Sequence, residues 1–254
     1  MQTAPHQNEQ IGSALGILRR RLGDALLAVY LHGSAVSGGL RPQSDIDLLA
    51  VVGSGLTESQ RNGLLTELLC LSGRHPAVPG GLRGLEVMVF CRSDLARGNY
   101  PARAEFVYGE WLREAFEAGE SPMPERDPEY SLVLAQARQE AIALCGPPRN
   151  EVPPEVPPEH VRQAMRDALP DLLDGLHGDA RNVLLTLARM TARTFKVSIE
   201  NAEAVIRMPL DEVHGLRVAM HPRLAGEPES NSTKAIREAF DKALARAQIR
   251  AGRV

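Results

Sequence analysis

Six prolines fall within fifteen residues in GPPRNEVPPEVPPEH, from Gly146 to His160. Proline fixes φ and carries no backbone donor, so such a stretch can neither continue a helix nor enter a central strand. It makes a semi-rigid connector. It therefore divides the 254-residue chain into two modest units, 1–157 and 158–254. The two sides read differently. Before the prolines, short apolar runs alternate with helical patterns; after them, the pattern is helical throughout. This predicts an α+β protein: an N-terminal domain with a small mixed sheet flanked by helices, followed by an all-α helical bundle.

The individual elements follow from periodicity. Ile11, Leu15, Leu18 and Leu22 recur at helical spacing and predict a helix over 8–23. LLAVYLHG, DIDLLAVV and GLEVMVF read as three buried strands. Between the second and third, Thr57 and Gln60 form a capping-box pattern, and Leu64, Leu65, Leu68 and Leu71 form a buried helical face. The start of AEFVYGEWLREAF alternates like a strand. Asp127 and Pro128 open a helix that Gly146 and Pro147 close. Beyond the connector, helices are expected over 159–173, 179–196, 201–208 and 232–250.

Bulk properties exclude several function classes. A formal net charge of −3 leaves no electrostatic footprint of a general nucleic-acid binder. No apolar run approaches membrane-spanning length, and the polar start MQTAPHQNEQ has no signal-peptide core. The three cysteines, Cys70, Cys91 and Cys145, fit neither a disulfide framework nor a zinc site, and they read as buried thiols in a reducing compartment. The expectation is a cytoplasmic protein and, with no long heptad seam, a monomer.

The chemistry concentrates in LHGSAVSGGLRPQSDIDLLAVV. Alternate side chains of a strand share a face, so Asp45 and Asp47 point one way while Ile46 and Leu48 enter the core. Two adjacent carboxylates repel each other unless a cation sits between them. Hard oxygen ligands on a rigid strand suit Mg²⁺, which binds one or two carboxylates together with substrate phosphates. Gly33 permits close backbone approach, and Ser34 offers a hydroxyl and an N–H to a phosphate oxygen. Glu86 lies in the third strand among Leu85, Val87 and Val89, where a solvated Glu fits poorly. It is suited to share a metal or to accept a proton from an attacking hydroxyl. His32 reads as a packed strand-end histidine, Glu110 as a solvated neighbour of Trp111, and Arg19 to Arg21 as a solvated face.

A Gly-Ser, a ten-residue gap, Asp-apolar-Asp-apolar and a Glu in the next strand together resemble the nucleotidyltransferase superfamily. With YGEWLRE and GDARNVLLTLARM added, the chain from about Leu26 to Lys196 resembles the streptomycin/spectinomycin adenylyltransferases, which confer aminoglycoside resistance. The resemblance implies a nucleotidyltransferase fold followed by a helical domain. It implies Mg²⁺-dependent transfer of AMP from ATP, with release of pyrophosphate, to the 3''-hydroxyl of streptomycin or the 9-hydroxyl of spectinomycin. By position, Asp45 and Asp47 match the metal pair (two Mg²⁺ ions) and Glu86 the catalytic base. Trp111 matches an aromatic wall for streptomycin, and Asp179 an acid that contacts the drug in a cleft between the domains.

The chain also departs from that family. Gly178-Asp179-Ala180 stands where the family has Gly-Asp-Glu, and Glu200 aligns with a lysine that reaches the ATP phosphates. Lys196 is the nearest remaining cation for that task. These changes leave a second expectation open: the same fold acting on another small-molecule or protein hydroxyl.

Overall fold

The computed structural model describes residues 5–36, 39–40 and 43–168. The chain divides into two compact units, Met1–Pro157 and Pro158–Val254. The helices expected over 179–196, 201–208 and 232–250 lie outside the described residues, as do Asp179 and Lys196. The helix expected over 159–173 begins as α6, Pro158–Asp167.

The first unit opens with α1 (Pro5–Leu22), which ends in Arg19, Arg20 and Arg21. Three strands follow at the expected places: β1 (Leu26–His32), β2 (Ile46–Val52) and β3 (Leu85–Cys91). Helix α2 (Glu58–Leu71) lies between β2 and β3. A short α3 (Arg92–Arg97), absent from the sequence reading, leads to β4 (Arg103–Ala104) and β5 (Phe106–Tyr108). Then come α4 (Arg113–Glu117), β6 (Glu125–Arg126), α5 (Pro128–Glu140) and β7 (Ile142–Cys145).

The main sheet has five strands in the order β5-β3-β2-β1-β7, and β4 and β6 form a separate two-stranded ribbon. Only β2 and β3 run parallel; the other pairs are antiparallel. This is the small mixed sheet expected. The helix expected to run from Asp127 to Gly146 stops at Glu140, and its last residues instead become the edge strand β7, paired with β1. Ala141 takes an extended conformation, ψ 150, and Gly146 turns the chain at φ +83, a conformation that glycine adopts without steric cost.

Strand alternation sorts the core into two layers. Val29, Leu31, Ile46, Leu48, Val87 and Val89 join Leu18, Leu64 and Leu68 on the face covered by α1 and α2. Tyr30, Leu49, Val51, Met88 and Phe90 join Tyr130 and Leu134 on the opposite face, covered by α5. Leu64, Leu65 and Leu68 are buried as expected, while Leu71 at the helix end is only partly covered. Gln10 ties α1 to the loop before β3: its amide donates to the Leu71 and Arg83 carbonyls and accepts from the Arg83 N–H. The proline-rich connector is anchored rather than free. Arg138 donates to the carbonyls of Asn150 and Pro153, and Val152 and Val156 pack on the α5 layer.

Cysteines correct one expectation. Cys91 is buried and Cys145 half-buried, but Cys70 is exposed, on the outer side of α2. Arg20 and Arg21 both pair with Glu67 of α2 at 2.5 Å, so this basic end is exposed yet bridged to its neighbour. No described helix is long and apolar enough to cross a membrane.

The capping box at α2 is present in both directions: Thr57 accepts from the Gln60 N–H, and the Gln60 side chain accepts from the Thr57 N–H. Thr57→Ala removes one acceptor and is expected to cost ~1 kcal/mol of stability. Urea denaturation should show the lower midpoint; an unchanged midpoint would mean that water satisfies the helix end equally well.

Candidate active site

The site begins with strand register. In the parallel pair β2/β3, Asp47 stands beside Glu86; in the antiparallel pair β1/β2, His32 stands beside Asp47. His32, Asp47 and Glu86 thus form one row across three strands, on the sheet face that α5 covers further along. Asp45 precedes β2 by one residue and shares the direction of Asp47. Ile46 and Leu48, between and beyond the two acids, are fully buried on the other face.

Gly33 fits this row by being small. It opens a short turn, Gly33–Ala35, at φ +64. A Cβ there would fall 1.9 Å from Asp47 Oδ2. The close approach that the sequence foresaw for a ligand is thus filled first by the carboxylate itself. Gly84 does the same for the other acid: its Cβ would lie 2.4 Å from Asp45 Oδ1 and 3.1 Å from Glu110 Cγ.

The electrostatics follow from crowding. Glu86 is pushed well above the usual carboxylate range by desolvation first, then by Asp47, Glu129 and Asp45. Asp45 is also raised, chiefly by desolvation, with His75 and Arg83 opposing the shift and Glu110 adding to it. His75 Nε2 lies 2.8 Å from Asp45 Oδ1. The contact joins His75 to this carboxyl and opposes the upward push of burial. His32 is held neutral: burial alone lowers it to about 4, and its Nε2 finds no hydrogen-bond partner among the described residues. It is the packed strand-end histidine expected.

These observations fit a divalent cation at Asp45 and Asp47. Both are hard oxygen donors on one face, and a bound positive charge would relieve the like-charge crowding around them. Among the described residues no three His, Cys, Asp or Glu side chains converge as a ready ligand set. Two carboxylates with substrate phosphates and water is the pattern that Mg²⁺ usually takes.

Trp111 is 59% exposed, so it is not a core anchor. It sits in the short turn Glu110–Leu112, between β5 and α4. Glu110 corrects the sequence reading. It is not solvated; its side chain is only 4% exposed. It accepts from Tyr108 Oη at 2.8 Å, from Arg113 Nε at 2.7 Å and Nη2 at 2.9 Å, and from Ser72 Oγ. Burial pushes its carboxyl up, but the bonds from Arg113, Ser72 and Tyr108 outweigh this and hold it below the usual range.

Sequence reasoning also missed His75 and Glu129. His75 lies in the turn-rich GRHPAVPGGLRG, where spacing gives no hint of a partner 30 residues earlier. Glu129 follows the cap of α5, and its charge acts on Glu86.

Residues 11–79 match the nucleotidyltransferase domain family, and residues 151–204 match the aminoglycoside adenylyltransferase C-terminal domain family. The chain is 42% identical over 198 residues to a spectinomycin 9-adenylyltransferase of Staphylococcus aureus, covering 77% of this chain and 76% of that one. It is 37% identical over 200 residues to an aminoglycoside (3'')(9) adenylyltransferase of Escherichia coli, covering 77% and 75%. The chain belongs to the aminoglycoside (3'')(9)/spectinomycin adenylyltransferase family. Its fold also matches the crystal structure of the spectinomycin adenyltransferase of Enterococcus faecalis with ATP and spectinomycin, with a TM-score of 0.76 and 29% identity. That match covers 93% of this chain and 98% of the other. The adenylyltransferase fold thus accounts for the mixed sheet.

Two outcomes follow. Gly33→Ala should displace Asp47 without unfolding the sheet, lowering affinity for Mn²⁺ or Mg²⁺ by about tenfold or more in calorimetry; an unaltered affinity would remove Asp47 from the cation site. Glu86 has an ordinary value of 4.5 in the unfolded chain and a raised one in the fold. Between those values the folded chain keeps a proton that the unfolded chain has lost, so stability falls as pH climbs through the window. Without divalent cations, Glu86→Gln should therefore be more stable than the parent at neutral pH. The gap should close as pH approaches 4.5, as read by denaturation in EDTA.

Proposed function

We propose that this aminoglycoside adenylyltransferase moves AMP from ATP to a hydroxyl of spectinomycin, streptomycin or both, with Glu86 as the general base. The observation that carries the mechanism is the flush register of Asp47 and Glu86 on neighbouring parallel strands. A base must stand close to the metal-held phosphate, and the crowding that raises Glu86 makes its carboxylate, once ionised, a stronger proton acceptor than a free one.

Asp45 and Asp47 would hold the cation, in our reading two Mg²⁺ ions, and Glu86 would share in holding one. When bound, Mg²⁺ neutralises the triphosphate charge and polarises the phosphoryl group. Gly33 and Ser34 offer backbone and hydroxyl donors to the phosphates, and Lys196 is the cation we assign to them from the second domain. Glu86 takes the proton of the acceptor hydroxyl. The oxygen forms a bond to the α-phosphorus as the bond to pyrophosphate breaks in line.

Trp111 provides an exposed aromatic face for a guanidinium-bearing drug. Asp179 is assigned as the acid that pairs with the drug's cationic groups. With no long heptad seam in the sequence, we read the enzyme as a working monomer. Dependence on ATP supports the cytoplasm as its compartment.

The test is mass spectrometry of both drugs after incubation with the protein, ATP and Mg²⁺. A gain of one adenylyl group on either drug is expected; no modification of either would end this reading. Glu86→Gln should still bind ATP while losing about 10²–10⁴-fold in turnover. Trp111→Ala should weaken streptomycin more than the smaller, rigid spectinomycin; equal losses would make Trp111 structural.

A further inference from the structure

We infer that Gly109 and the buried Ser72–Tyr108–Glu110–Arg113 network are positioning residues for Trp111 and thereby set how well this enzyme takes streptomycin. The inference rests on the proposed role of Trp111 as an aromatic wall for the drug.

An exposed tryptophan on a three-residue turn has two free side-chain torsions and no packing to choose between them. A wall that is free to rotate gives little selectivity, because ordering it on binding costs affinity. Here the backbone on either side of Trp111 is pinned. Glu110, one residue before, accepts hydrogen bonds from Ser72 Oγ, Tyr108 Oη and two nitrogens of Arg113. Arg113, two residues after, is buried and donates onward to the Ser72 carbonyl at 2.9 Å and the Leu69 carbonyl at 3.3 Å, at the end of α2. Ser72 Oγ accepts in turn from the Leu85 N–H at 2.9 Å, which ties the network to the start of β3, one residue from Glu86.

The ring itself is placed by Gly109. A Cβ at that residue would lie 2.2, 2.3 and 2.5 Å from Trp111 Cζ3, Cη2 and Cε3. The indole therefore lies flat over the Gly109 backbone, in a position that only glycine leaves open. Gly109 has φ −158, ordinary extended backbone, so strain does not explain the glycine; space for the ring does. The same post adjoins the acidic pair, since a Cβ at Gly84 would lie 2.4 Å from Asp45 Oδ1 and 3.1 Å from Glu110 Cγ. The network thus holds the aromatic wall at a fixed offset from the reacting end of the site.

Trp111 is the chain's single tryptophan, so its emission reports this ring alone. The experiment measures emission, acrylamide quenching and calorimetric Kd for streptomycin, spectinomycin and ATP in full-length Gly109→Ala and Glu110→Gln. Gly109→Ala leaves every hydrogen bond of the network in place and so keeps the test sharp if Glu110→Gln folds poorly. The expected result is a shifted emission and altered quenching, with streptomycin bound roughly tenfold more weakly and the Kd of spectinomycin and ATP changed by less than about twofold. An unchanged emission with unchanged streptomycin binding overturns the inference, as does equal weakening of all three ligands. Trp111→Ala separates the two readings. If it leaves streptomycin binding intact, the role of Trp111 as drug wall fails; if it weakens streptomycin while Gly109→Ala does not, only the positioning role fails.

Discussion

Like-charge crowding on one sheet face is the constraint that the rest of this structure serves. Asp45, Asp47 and Glu86 share a direction, and the charge of Glu129 acts on Glu86 from the start of α5. Each unit by which a carboxyl is raised represents about 1.4 kcal/mol of unfavourable interaction in the charged state. The strands that carry the acids also carry Ile46, Leu48, Leu49, Val87 and Met88, all essentially buried. Burying one such side chain contributes ~1.5–3 kcal/mol, so a few aliphatic neighbours offset the cost of the row. The acids are tolerable because the opposite face and the remainder of their own strands are dry.

The row also explains which small residues matter. Gly33 and Gly84 lie against the two acids, each with no room for a Cβ. His75 and Arg83, both from the loop before β3, lower the carboxyl of Asp45 that burial raises. The site therefore keeps weak positive partners near the acids without neutralising them fully. A tightly bidentate arginine would do that better, but it would occupy the oxygens that a cation needs.

Much of this was legible in the sequence because it is written in local spacing. The short apolar runs in DIDLLAVV and GLEVMVF give the strands and the third acid, and period-two geometry gives the shared face of Asp45 and Asp47. The Thr57–Gln60 box and the Asp127-Pro128 start mark two helix beginnings that the structure reproduces. What was not legible depends on pairing between distant segments. Glu110 looks solvated beside Trp111 until Ser72 arrives from 38 residues away to bond it. Residues 142–145 continue a helical pattern until β1 offers them a free edge, and sheet pairing then overrides local propensity. His75 carries no signal at all, because its partner Asp45 meets it only once β2 and β3 are laid side by side.

The two kinds of information divide the enzyme in a physically sensible way. Phosphoryl transfer tolerates little error in where charges sit, and the acids we assign to it stand at strand starts whose register is set by fully buried neighbours. Acceptor choice tolerates more, and Trp111, the aromatic group we assign to it, stands on a turn outside the sheet. A turn of that kind becomes precise only if something else holds it. Here the support is a buried Glu–Arg pair satisfied by a tyrosine, a serine and two carbonyls. Such a pair costs desolvation and seldom adds net stability over apolar packing. Its presence on either side of the exposed tryptophan in the chain is better explained by the orientation it imposes than by the stability it supplies.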